Sequence, residues 1–338
     1  IGDGRGGDGR TKLGRNMEPE AHWRHILLPV ACTIALARRL PMPATQPIVI
    51  IGAGAAGLLA AIHAGRSGAA VVVVEHTADG GRKILISGGG RCNILPSGLD
   101  PKCFVSDSSP RLVRRLLLSW PLAGQRAFFE EELGIPLKLE SESGKLFPVS
   151  DRARDVRDAL VGAAREAGVQ FAFGRPGTAT GPEGGSWRVG FADGEPFQAR
   201  AVIVATGGLS VPSTGSAGFG LELALSLGHS VNETYPALTP LTADPPVHES
   251  LAGVSLTVSL STRLDGRRLT TRGGFLFTHK GYSGPAVLDL SHVAVRSRLQ
   301  GGVRPSILVQ WTDADGPMWD RRLQQRSPKA VLTLLRES

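Results

Sequence analysis

The sequence predicts an α/β fold joined to a β-rich module, and three observations predict it. First, a β-branched run, Ile48–Ile51, leads into a glycine-rich turn and then a helical pattern. Second, another apolar strand follows, Ala70–Val74, and an acid, Glu75, stands at its end. Third, from about Ala237 the pattern changes to alternation, with Val254, Leu256, Val258 and Leu260 on one side of a strand.

The first unit is the most specific. A continuous β-branched strand suits burial on both faces. The turn is Gly52, Ala53, Gly54, Ala55, Ala56 and Gly57, and a helix is expected from about Ala56 to Ser67, ended by Gly68. In a βαβ unit, Gly52 permits the tight turn, Gly54 lets a pyrophosphate approach the backbone, and Gly57 lets helix and strand pack closely. Free N–H groups and the positive end of the helix dipole then face the phosphates. Glu75 is placed to accept a hydrogen bond from a ribose 2′-OH, which favours FAD or NAD over NADP. Strand, glycines, helix, second strand and acid in this order define a Rossmann-type unit far better than glycines alone.

Further elements follow from local pattern. Leu112–Leu118 and Leu122–Leu133 read as helices broken at Pro121. Asp151–Ala167 reads as an amphipathic helix, with Val156, Leu160, Val161 and Ala164 on one side. Val169–Phe173 and Trp187–Phe191 read as strands, Gly181–Gly185 as a turn, and Gly218–Leu227 as a helix. Ala201–Ala205 reads as a buried strand, with Thr206, Gly207 and Gly208 as the turn at its C-terminal end, where ligands sit in open α/β sheets. Val254–Leu260, Leu269–Thr271, Phe275–Thr278 and Ile307–Trp311 read as antiparallel strands.

Composition narrows the function. The 338 residues carry a formal charge of +8, but the basic residues are scattered and not interleaved with aromatics, so no nucleic-acid partner is expected. Three cysteines, with no CxxC pair, make neither a disulfide framework nor a zinc site, and a reducing, cytoplasmic setting fits. No GxSxG elbow or HExxH pair occurs, which sets aside hydrolase and metalloenzyme readings. Residues 1–46 read as an extension, disordered or non-native. Its apolar run from Ile26 to Ala37 is too short to span a bilayer, so no membrane partner is expected.

A second glycine segment follows Glu75. Arg82, Lys83, Ser87, Gly88, Gly89, Gly90, Arg91, Cys92 and Asn93 form a loop with cations beside three consecutive glycines, suited to a phosphate or the polar edge of a flavin. The stretch Gly81–Asn93 resembles the hallmark of the BaiN/YhiN-like flavoproteins, also described as aminoacetone-oxidase-type NAD(P)/FAD-dependent oxidoreductases. Four further segments, Lys145–Ala153, Ala205–Ser216, Pro236–Leu241 and Leu276–Leu288, resemble other motifs of that family.

The resemblance implies an FAD-binding, two-dinucleotide-binding-type Rossmann-like domain over 47–236, with an inserted β-rich domain over 237–338. It implies bound FAD, with Glu75 on the adenosine ribose, the Lys83–Asn93 loop along pyrophosphate and isoalloxazine, and Ala205, Thr206, Gly207 and Gly208 near the cofactor. NAD(P)H is the implied electron donor and a small organic molecule the substrate. Leu209, Val211 and Phe219 depart from the family pattern. So does Gly177, which lies in the segment expected near adenine. Family members also continue about another hundred residues, in a segment that completes the flavin site.

Lys83 and Arg91 are candidates to stabilise a reduced flavin or to neutralise phosphate. Cys92, His279 and Tyr282 are weaker candidates for chemistry, and no catalytic acid or base is assigned. Two alternatives stand beside the oxidoreductase: a catalytically incomplete nucleotide-binding or interaction protein, and a flavoprotein acting on RNA, supported by net charge alone.

Overall fold

The computed structural model describes residues 46–324, apart from 107, 142, 193, 265 and 302–304. The extension expected at 1–46 lies outside the described residues, Gln46 excepted.

Four parallel strands make the central sheet, in the order Ala201–Val204, Ile48–Ile51, Val71–Glu75, Gln170–Phe173. Ile48–Ile51 is β1, Val71–Glu75 is β2, and the helix between them, Ala55–Arg66, is α1. Val49, Ile50 and all of β2 are buried, as expected for strands covered on both faces. Leu58, Ala61 and Ile62 of α1 pack with Val156, Leu160 and Ala164 of the helix Ala153–Glu166 in one core. The βαβ unit and that amphipathic helix thus follow their sequence patterns to within two residues.

The strand Ala201–Val204 differs from expectation. The apolar run predicts a buried strand, yet Ile203 and Val204 are exposed. It pairs only with β1 and forms the edge of the sheet, where an apolar run need not be covered on both faces.

The turn expected at Gly181–Gly185 is also different. Residues Gly177–Glu183 form a strand paired with Ser186–Phe191, leaving Gly184 and Gly185 as the bend. This strand lies at the edge of its three-stranded sheet, where glycine and proline are tolerated. The helix expected over Leu122–Leu133 starts as one, but it changes to a π-turn at Phe128–Glu132.

The antiparallel module is a five-stranded sheet. The strands expected at Leu269–Thr271 and Phe275–Thr278 are one, Arg267–Thr278, paired along its length with Ser255–Leu264. Gly273 and Gly274 interrupt the apolar pattern in sequence. In space they lie under the start of a helix, Pro285–Leu299, where a Cβ on Gly274 would sit 3.4 Å from Pro285 Cδ. That helix packs Ala286, Val287 and Leu290 on Val258, Leu260, Phe275 and Phe277, the core of the module.

Candidate functional site

The site is built at the C-terminal ends of β1, β2 and the strand Ala201–Val204, where an open parallel sheet leaves its crevice. Gly52 leaves β1 with φ +107°, and its ideal Cβ would lie 2.5 Å from the Ala205 carbonyl oxygen. A Cβ on Gly57 would lie 1.9 Å from the Gly52 carbonyl oxygen, so α1 approaches the turn as only glycine permits. Nothing stands within 4 Å of a Cβ built on Gly54. No acidic residue occupies the first turn of α1 to neutralise its N-terminal N–H groups.

Glu75 fastens this turn. The Ala53 N–H donates to Glu75 Oε2 at 2.8 Å. The Thr77 N–H and hydroxyl both donate to Oε1 at 2.9 Å, and His76 Nδ1 stands 3.0 Å from the same oxygen. Glu75 is buried, with 9% of the residue exposed. Sequence reasoning placed Glu75 for a ribose, but it did not foresee that its side chain also holds the glycine turn from across the strand ends.

A cleft of about 890 Å³ opens over the turn. Gly52, Gly54, Ala55, Ala56 and Glu75 line it, with Arg82, Lys83, Ser87, Cys92 and Asn93 from the second glycine segment. Gly177, Ala205, Thr206 and Gly207 close it from the far side. The remaining expected residues lie outside the lining. Ala53 is buried beneath the turn, Gly57 is packed against it, and Gly88, Gly89, Gly90, Arg91 and Gly208 do not face the cleft.

The second glycine segment is not a plain loop. It opens as a helical turn, Arg82–Ile86, here α2. Gly88, Gly89 and Gly90 then run at φ of 56°, 68° and 88°, and Cys92 follows at 67°. A side chain at three successive positions in that region is strained, which accounts for the glycines.

Its cations are already engaged. Arg82 Nε pairs with Asp79 at 3.0 Å, and Arg91 pairs with Glu140 at 3.0 Å while its guanidinium lies 4.1 Å from the Phe147 ring centroid. Lys83 Nζ donates to the Ser210 carbonyl and hydroxyl at 2.8 and 3.0 Å, and to Ser216 Oγ at 2.8 Å. It thereby ties α2 to the segment after the Thr206 turn, a connection across 127 and 133 residues that no local pattern could reveal.

Cys92 is 6% exposed, and burial pushes its thiol up from 9.0 to about 11, so it is a neutral thiol near pH 7. His279 is exposed, and neither it nor Tyr282 lines the cleft. Tyr282 Oη is instead 2.8 Å from His248 Nδ1. Among the departures from the family pattern, two meet: the Phe219 ring lies 3.4 Å from where a Gly177 Cβ would be, and both residues line the cleft. Val211 carries φ 51°, a strained value for a β-branched residue. Among the described residues no cluster of His, Cys, Asp and Glu could hold a metal, and no helix is long and apolar enough to cross a membrane.

A glycine turn, a strand-end glutamate and a crevice at the carboxyl edge of a parallel sheet define an α/β protein of the Rossmann type, with a β-rich module attached. Residues 46–307 match the family described as HI0933-like protein Rossmann domain, and the chain belongs to that family. The resemblance drawn from the five motifs is thereby borne out. Two curated relatives are each 34% identical. "Ribosomal RNA dihydrouridine synthase" of Escherichia coli strain K12 aligns over 72% of this chain and 60% of its own length. "3-dehydro-bile acid delta(4,6)-reductase" of Clostridium scindens aligns over 73% of this chain and 60% of its own. The chain therefore spans about 60% of the length of the curated relatives it matches. The solved structure of THI4 from Thermovibrio ammonificans is 17% identical, covers 61% of this chain and 70% of that one, and gives a TM-score of 0.36, too slight a likeness to bear on function.

Proposed function

We propose that the chain binds FAD and belongs to a flavin-dependent reductase of carbon–carbon double bonds conjugated to a carbonyl, fed by NAD(P)H. The observation that carries the cofactor reading is the Glu75–Ala53 clamp, which holds a glycine turn open onto the cleft with nothing beside Gly54. The N-terminus of α1, with the turn Gly52–Gly57, would hold the pyrophosphate. Glu75 keeps acceptor capacity for a ribose hydroxyl beyond the donors it already meets. Gly177 and Phe219 stand at that same end, since the Arg175 N–H donates to the Glu75 carbonyl two residues before Gly177. Lys83, Ser87, Cys92 and Asn93 would face the flavin end, with Gly88–Gly90 and Arg91 shaping the backbone behind them. Ala205 to Gly208 would pass along the other side.

When bound, FAD supplies the hydride chemistry, and the protein supplies position and charge. The reaction class is supported by the names of the two relatives. Making dihydrouridine saturates a ring double bond conjugated to a carbonyl, and a delta(4,6)-reductase acts on double bonds of an oxo-steroid. The first name also brings RNA forward as a substrate carrier, against the expectation from scattered charge. A reducing, cytoplasmic compartment suits the free thiols of Cys92 and Cys103.

The test is to purify the chain and identify the released cofactor by mass spectrometry, then titrate with NADH or NADPH without oxygen. Retained FAD bleached by either donor, and reoxidised by a conjugated enone or uridine, is the expected result. A folded, colourless protein that cannot be reconstituted with FAD would overturn the reading. FAD retained but never reduced would favour the incomplete nucleotide-binding protein. Deleting residues 1–41 is expected to leave the cofactor in place.

A further inference from the structure

The antiparallel module carries a second cavity that shares no residue with the glycine cleft. In its hairpin, Ser259 pairs with Arg272, Ser261 with Thr270 and Arg263 with Arg268. Side chains alternate along a strand, so these six residues share one face, while Val258, Leu260 and Phe275 fill the core on the other. Arg263 and Arg268 are exposed and stand directly opposite each other. Like charges in that relation cost stability, and a bound anion would relieve that cost. Arg272 adds a third cation, which reaches Asp313 at 2.7 Å and Ser259 Oγ at 3.4 Å.

Across this face and the helix Gly316–Gln324 runs a groove of about 510 Å³, with Arg268 and Thr270 along one wall and Trp319 along the other. The Trp319 Nε1–H donates to Thr312 Oγ1 at 3.0 Å, which fixes the indole. Asp315 also lines the groove and Asp313 meets Arg272, so Arg268 in the groove and Arg263 opposite it are the exposed cations left for an anion. A fixed aromatic plane near exposed cations suits a strand of unpaired bases. Bases stack on the ring and phosphates meet the guanidinium groups. Ser261 and Thr270 add hydroxyls that can exchange hydrogen bonds with ribose 2′-OH groups, which DNA lacks.

We propose that this sheet face and groove form a docking site for single-stranded RNA. The proposal does not rest on the flavin reading. A colourless protein that still binds RNA here would sink that reading and leave this one standing.

The experiment uses the full chain and a labelled oligouridylate of about twelve nucleotides, followed by fluorescence anisotropy over a salt series. Two phosphate contacts, at Arg263 and Arg268, give a slope of log affinity against log salt of about −1.4. The double variant Arg263→Gln/Arg268→Gln is expected to flatten it to near zero, with flavin content unchanged and a melting temperature no lower than the parent's, since it removes an opposed like-charge pair. Arg188→Gln, an exposed arginine on the strand Ser186–Phe191 of a separate sheet, should leave the slope unchanged. Trp319→Ala should weaken binding about tenfold and Trp319→Phe much less. If Trp319→Ala fails to fold, the arginine pair still decides. No binding at low salt, equal loss in Arg188→Gln and the double variant, or equal affinity for the matching oligodeoxynucleotide would each overturn the proposal.

Discussion

Two glycine segments face the same cleft and work differently. The turn Gly52–Gly57 uses backbone alone: one glycine at positive φ, one where α1 crosses within van der Waals contact, and one beside open space. The segment Arg82–Asn93 has as many glycines, but its cations belong to the protein. Arg82 goes to Asp79, Lys83 to Ser210 and Ser216, and Arg91 to Glu140. The difference shows that backbone constraints imposed by a motif are local and can be read from spacing. The destination of a long charged side chain depends on what the fold brings near it.

The sharpest way to break the comparison lies inside the first turn. Gly57→Val should cost about 3 kcal/mol or more, because its Cβ alone would sit 1.9 Å from the Gly52 carbonyl oxygen. Gly54→Ala, three residues earlier, adds its methyl to open space at φ −77°, where the N-cap preference for glycine and the reduced freedom of the unfolded chain oppose each other, so the melting temperature should stay within about 2 °C of the parent. It should still weaken FAD binding, since in the proposed site the methyl would enter the path of the pyrophosphate. Thermal melts alongside flavin content decide this. If Gly54→Ala retained flavin fully, the pyrophosphate would not pass over that residue.

This contrast also marks how far the sequence was legible. β1, α1, β2 and Glu75 follow from spacing because each step is enforced within thirty residues by burial period and turn geometry. The helix Pro285–Leu299 was missed because it is buried over much of its surface and shows little amphipathic period, so nothing in its pattern separates it from a strand. The sequence pattern of the hairpin arm Arg267–Thr278 breaks in two because Gly273 and Gly274 answer to that same helix, not to their neighbours in the chain. The cleft lining was legible where motifs supply it. His76, Phe219 and the Lys83 latch were not, since each takes its place from pairings across the sheet or between distant segments.

Lys83 offers the next largest effect. Lys83→Met keeps the stem and removes an ammonium that donates to Ser210 and Ser216. A loss of about 2 kcal/mol is expected in urea unfolding, because the two serines lose a charged donor. If the latch positions the Thr206–Ser216 segment, FAD affinity falls with it. A variant as stable as the parent, yet deficient in flavin, would instead assign Lys83 to the cofactor directly.

Cys92 gives a smaller effect with a defined pH window. Its folded thiol titrates near 11 instead of 9.0, so the folded state holds the proton more tightly than the unfolded chain. Stability is unaffected below about pH 8 and declines as pH rises from about 9 toward 11, by about 1 kcal/mol at pH 10. Cys92→Ala should remove that decline. Iodoacetamide at pH 8 should label the exposed Cys103 and spare Cys92 until the protein is unfolded, as read by peptide mass mapping. Rapid labelling of native Cys92 would restore it as a reactive thiol beside the cleft.

The smallest effect separates Arg91 from Lys83, although both were read from the sequence as candidates to face the flavin. Arg91 pairs at the surface with Glu140, whose carboxyl is held below its usual range first by the Ser143 hydroxyl and then by the Arg91 guanidinium. An exposed pair of this kind contributes little, so Arg91→Gln should leave the melting temperature close to the parent's and, being turned from the cleft, leave flavin content unchanged. Because Glu140 is held low in the folded state, the pair's contribution is present above the ordinary carboxylate range. It fades as pH falls through the folded value, and the Arg91→Gln and parent curves should converge there. A loss of flavin in Arg91→Gln matching that in Lys83→Met would mean that the guanidinium swings from Glu140 to the cofactor, and the two glycine segments would then meet the ligand alike.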